Sequence, residues 1–197
     1  MNLATNVGLV ILSCFAFGLS SSAQVGAVEN WREIGAKSVT LYSRAKYKDK
    51  YAGYGKSTFS FKYGLRSDDV DQAITHNDYE LQFGGMSIDG DSDWFGVTMV
   101  TDDRSRIKDL SELNWADLVD VPALPAAAEP QKGISLSFKT RNFEESSSGQ
   151  VTRVVAGHMY VVHTRDTDSD FYTLLRVDKL VSGDEVTISW KNVPAPF

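Results

Sequence analysis

About nine short runs rich in β-branched and aromatic residues follow one another along this chain, and no long stretch repeats its apolar residues at helical spacing. The runs fall at 38–42, 58–63, 79–83, 94–100, 134–138, 151–155, 158–164, 171–177 and 185–190. Thr58-Phe59-Ser60-Phe61-Lys62-Tyr63 alternates aromatic with polar residues, and such alternation gives a strand one wet and one dry face. The connections are short and filled with Asp, Gly, Ser and Asn, as tight turns require. The expectation is therefore an all-β, mainly antiparallel fold, either a β-sandwich or an open barrel of about nine strands. At most one short helix is expected, near 106–119, where Ile107, Leu110, Leu113 and Leu118 recur at helical intervals.

The first 23 residues carry no Asp, Glu, Lys, Arg or His, and an apolar run of thirteen residues from Val7 to Leu19 ends in Ser20-Ser21-Ser22-Ala23. That is the layout of a secretory signal peptide cut after Ala23, with a second small-residue site ending at Ala27. The run falls short of the roughly 20 residues that a membrane-crossing helix needs, so no transmembrane span is expected in the mature chain. The mature chain is accordingly expected in the periplasm or outside the cell. The other reading is a buried N-terminal strand or helix, which the mass of the mature protein would distinguish from a cleaved leader. Cys14, the only cysteine, lies inside the apolar run, and its preceding triplet Ile11-Leu12-Ser13 matches a lipidation site poorly. Cleavage leaves no thiol, which removes disulfides, thiolate metal sites and cysteine catalysis together.

With 197 residues, 42% of them hydrophobic, the chain can bury one sizeable core. Residues 24–197 read as one β-rich domain: a strand set to about 120, a Pro/Ala crossover at 121–131 and a second strand set over 132–197. The net charge of −6 is unevenly spread. Residues 30–66 hold nine Lys or Arg against two acids, and residues 67–120 hold fourteen acids against three bases. The asymmetry means either a polyanion-binding face or two segments that lie together and neutralise one another.

The most specific motif is a repeated D-x-D-S-D turn. Residues 89–100 align without gaps on residues 166–177, each copy leading into a strand opened by two aromatics, as if one hairpin design were used twice. Asp89, Asp91 and Asp93 in one copy, and Asp166, Asp168 and Asp170 in the other, offer the hard oxygen ligands that Ca²⁺ prefers. Trp94 and Phe171 stand where an EF-hand needs glycine, so only a different calcium loop is open, and the competing reading is side-chain capping of tight turns. No other cofactor is indicated.

Between Tyr42 and Lys56, basic residues interleave with tyrosines. On an extended chain Lys46, Lys48 and Lys50 would share one side and Tyr47 and Tyr51 the other, before Gly53 and Gly55 break the pattern. These lysines are candidates for a polyanion or acidic glycan, or else simply a solvated face or a protected strand edge. His158 and His163, five apart in one strand, point to opposite faces and do not share a metal; His76 is distant. Gly53-Tyr54-Gly55-Lys56-Ser57-Thr58 lacks the first glycine of a phosphate-binding loop, and no G-x-S-x-G is present. Trp94, Trp115 and Trp190 read as packing residues. The leading expectation is a non-catalytic exported module binding a ligand, glycan or envelope protein, with no nucleic acid partner. Two others stand beside it: a secreted hydrolase working through carboxylates in a cleft, and a structural surface or envelope subunit.

Overall fold

The computed structural model describes residues 35–48, 50–69, 79–85, 91–97, 104–124 and 149–196. The apolar N-terminal segment with Cys14, the residue Trp31, His76, Asp89, most of the Pro/Ala crossover and the strand expected at 134–138 lie outside the described residues.

Ten strands are described, and all their pairings are antiparallel: β1 (Lys37–Tyr42), β2 (Thr58–Ser60), β3 (Leu65–Arg66), β4 (Leu81–Phe83), β5 (Trp94–Gly96), β6 (Arg106–Glu112), β7 (Val151–Arg153), β8 (His158–Arg165), β9 (Asp170–Val181) and β10 (Glu185–Val193). They form two five-stranded sheets, ordered β1-β10-β9-β8-β6 and β3-β2-β4-β5-β7. The all-β sandwich expected from alternation is what forms. Leu41, Val162, Leu175, Val177, Ile188 and Trp190 from the first sheet meet Phe59, Leu81, Phe83 and Phe95 from the second, with Val154 just past β7, in one buried cluster. On one side the sheets are stitched together where the Ile107 N–H donates to the Gly149 carbonyl at 2.6 Å.

The first sheet is also covered on its outer face. Met159, Val161, Tyr172, Leu174 and Val193 point away from the sandwich core and form a second buried cluster with Leu118, against which Leu110, Leu113, Trp115, Val121 and Leu124 pack. Residues 113–124 thus run across the sheet as a strap. Its ends are tied down: Arg176 Nε donates to the Leu113 carbonyl at 3.3 Å, and Tyr172 Oη donates to the Leu124 carbonyl at 2.9 Å.

This arrangement corrects two expectations. The helix expected near 106–119 is strand β6 followed by the strap. A bulge between Asp109 and Glu112, with Ser111 at φ 68° and its N–H on Asp109 Oδ1, reverses the facing of the strand. Ile107 enters the sandwich core and Leu110, three residues on, faces the outer cluster by alternation alone; the bulge then turns Leu113 outward as well, and the resulting spacing imitates a helix. The one α-helix described is α1 (Lys50–Ser57), in the stretch read as extended. Two internal glycines argue against a helix there, but tertiary contacts override them: Tyr54 packs edge-on to Tyr79 at 6.1 Å, and the Arg44 guanidinium lies over its ring. Among the described residues no helix is long and apolar enough to cross a membrane.

Candidate functional site

The chain leaves β1 at Tyr42, makes one 3-10 turn at Arg44–Lys46 and enters α1. The expected division of Lys46, Lys48 and Lys50 from Tyr47 and Tyr51 across an extended segment is therefore overturned. Lys46 and Lys48 are exposed and Lys50 opens the helix. What the turn does instead is gather cations around one ring. Lys46 Nζ, Lys56 Nζ and the Arg66 guanidinium carbon each lie 5.8 Å from the centre of the Tyr42 ring. A second such pair stands beside it, with Arg44 5.4 Å from the Tyr54 ring centre. Burial pushes the Tyr54 phenol up to about 12, so it stays neutral and keeps its ring electron-rich but uncharged.

Carboxylates partly balance this face. Asp68 accepts from Lys56 at 3.2 Å and from Arg66 Nε at 3.0 Å, and Asp184 pairs with Lys46. The hydrogen bond to Asp184 raises the Lys46 ammonium above its ordinary range. Of the two readings of the charge asymmetry, neutralisation is real but incomplete. Asp68 belongs to the acidic segment, whereas Lys46 and Lys62 reach aspartates near the C-terminus. Lys48, exposed beside them, adds to the positive side.

The two Asp-rich turns share a local geometry. In the first, the Asp93 N–H donates to Asp91 Oδ1 at 2.8 Å; in the second, the Asp168 N–H donates to Asp166 Oδ1 at 3.0 Å. This is the side-chain turn that Asp forms with the backbone two residues on. The remaining oxygens go to other elements. Asp91 pairs with Arg153; Asp168 pairs with Lys62, whose hydrogen bond holds its carboxyl below the usual range; and Asp170 bonds His163 and Arg165. Buried Asp93 accepts from Ser182 Oγ at 2.6 Å and from the Gly183 N–H at 2.8 Å, tying β5 to the β9–β10 turn.

No group of three or more His, Cys, Asp or Glu placed to hold a metal occurs among the described residues. With these carboxylates committed to protein donors, calcium or EDTA is expected to leave the thermal unfolding midpoint unchanged. A rise with calcium that EDTA reverses would assign the turns a metal.

The two histidines of β8 do point to opposite faces. His158 Nδ1 bonds the Asp109 carboxylate at 2.9 Å. His163 is stacked on Tyr172, with Nδ1 2.6 Å from the Leu124 carbonyl and Nε2 2.9 Å from Asp170 Oδ1, so it braces the strap. Trp94 and Trp190 are buried, while Trp115 is half-buried in the strap.

Comparison with protein-family models, with curated proteins and with solved structures returns no match to this chain. Nothing in the local sequence pattern marks Arg66 as part of this face. It joins Tyr42 only because β3 sits beside β2 and turns its guanidinium toward β1, where NH1 donates to the Thr40 carbonyl at 3.2 Å.

Proposed function

We propose that the mature chain is an exported, non-catalytic β-sandwich module that binds an acidic glycan of the cell envelope or surroundings on the face built around Tyr42. What carries the reading is the convergence of Lys46, Lys56 and Arg66 on one aromatic ring, with Arg44 over the next. Sugars stack on aromatic faces through their C–H surfaces, and carboxylated or sulfated sugars add charge that Lys and Arg recognise. A half-exposed array of this kind binds through many weak contacts, each screened by salt. Lys48, exposed two residues on from Lys46, extends the same array along the chain. The uncharged, charge-poor N-terminal segment and its small-residue end support export.

Retention on immobilised heparin, used as a model acidic glycan, tests the reading. The wild type is expected to bind at low salt and to elute on adding NaCl. Replacing Lys46, Lys48 and Lys50 together with Gln is expected to weaken retention on the order of tenfold, because three positive charges, worth about 0.2–1 kcal/mol each in a surface ion contact, are lost. Passage of the wild type through the column unretained would end this reading.

A further inference from the structure

At the opposite end of β10 from the Tyr42 face, the strap and the sheet enclose an open hollow of about 390 Å³ lined by Trp115, Ala116, Leu118, Val119 and Lys191. That volume lies within the roughly 300–1,000 Å³ of small-molecule sites. Apolar side chains make up most of the wall, and Val119, 68% exposed, leaves an apolar rim open to solvent. Surface valines scattered singly mean little. This one stands over a hollow whose inner wall carries a charge.

That charge is Lys191. Alternation along β10 puts Trp190 into the sandwich core and Lys191 with Val193 on the outer face, beside Leu174 of β9. The residue is only 7% exposed, and its Nζ lies 4.6 Å from the centre of the Trp115 ring. Burial shifts its ammonium below the ordinary lysine range, the direction expected when a cation is drawn out of water. The indole is fixed in turn, since Trp115 Nε1 donates to Ser189 Oγ at 3.3 Å. The strap carrying it is anchored at Leu113 and Leu124. Wall and charge are therefore preorganised, which lowers the ordering cost of binding.

We infer that this hollow is a binding site for a free, small amphipathic carboxylate, its anionic head against Lys191 and its hydrocarbon body along Trp115, Leu118 and Val119. Charge complementarity selects the head group: a buried ammonium gains most from an anion, gains little from an alcohol and repels an amine. The apolar rim selects a hydrocarbon body over a sugar, because it offers apolar surface to cover. The site shares no residue with the Tyr42 face and stands independently of it.

The test is a titration with octanoate, octanol and octylamine, following the Trp115 indole N–H by two-dimensional NMR. Octanoate is expected to move that resonance saturably, octanol more weakly, and octylamine not at all. Lys191→Met keeps the buried stem and removes the charge; it is expected to bind octanoate at least about tenfold more weakly, whereas Lys191→Arg, which keeps the charge but not the ammonium's shape, binds it more tightly than Lys191→Met does. Val119→Glu, at an exposed position where folding is not at stake, is expected to weaken octanoate by repulsion. The inference is overturned if octanoate gives no saturable shift, if Lys191→Met and Val119→Glu both bind it as the wild type does, or if the resonance responds only to anionic phosphatidylglycerol vesicles.

Discussion

Replacing Trp190 with alanine is expected to lower the thermal midpoint by roughly 10–15 °C, the largest loss from any single side chain of the sandwich core. Trp190 is 4% exposed and belongs to β10, yet its ring reaches across to the other sheet. Its centroid lies 5.2 Å from that of Phe59 and 5.4 Å from that of Phe61, while Lys37 Nζ stands 5.3 Å from the ring. Removing the indole leaves a cavity between two sheets whose backbones are held by their own ladders and cannot collapse into it. Such truncations cost about 3–5 kcal/mol, and each lost aromatic pair adds a share. Against a total stability of about 5–15 kcal/mol the domain stays folded but only marginally. Circular dichroism melts of Trp190→Ala beside Trp115→Ala check this, the latter removing a half-buried ring from the strap. Equal losses in the two variants would mean that Trp190 does not key the sheets together.

The sandwich was readable because its strands alternate and their connections are short. Ser38–Tyr42, 158–164 and 171–177 each correspond to a strand, and β8 and β9 hold further information that alternation hides. Met159-Tyr160-Val161-Val162 is a continuous apolar run, the pattern of a strand buried on both faces. Read that way, it demands a cover for the outer face, and the apolar residues of 110–124 supply it. The helical spacing there misled because one bulge at Ser111 moves the next residues to the other face, a change that leaves no mark in the order of apolar letters. Helix α1 was illegible for the opposite reason, since its glycines oppose it locally and its support comes from Arg44 and Tyr79.

The candidate sites divide along the same line. The stretch from Tyr42 to Lys56 stood out by composition, and two of its lysines do converge on Tyr42. Arg66 joins them through strand placement, which no local pattern encodes. The Asp repeats were visible, and their shared side-chain turns are the capping alternative already contained in those residues. Lys191 was invisible, because Thr187, Ser189 and Lys191 alternate with core residues and so read as a wet face. Only the strap, whose path depends on tertiary ties at Leu113 and Leu124, makes that face dry.

Glu80 carries the second large effect, on the dependence of stability on pH. It is 4% exposed, and burial pushes its carboxyl up from about 4.5 to about 7; donation from the Phe61 N–H at 2.7 Å and from Ser60 Oγ only partly offsets that. A group that holds its proton more tightly when folded favours the folded state most where the unfolded chain also keeps the proton, below about pH 4.5. This contribution drains away as pH rises through about 7, where the buried carboxyl must ionise. The shift corresponds to about 3 kcal/mol. Glu80→Gln preserves an acceptor for the Phe61 N–H and cannot ionise, so its stability lacks this component. The wild type minus variant difference in urea unfolding free energy is expected to fall by about 2–3 kcal/mol between pH 5 and pH 8. Taking the difference cancels the two histidines of β8, and the window lies above the range in which Asp168, held low by Lys62, loses its charge. A difference that stays flat across that window would mean that Glu80 ionises in the folded protein as readily as in water, and that the 61–64 turn is not closed over a buried carboxyl.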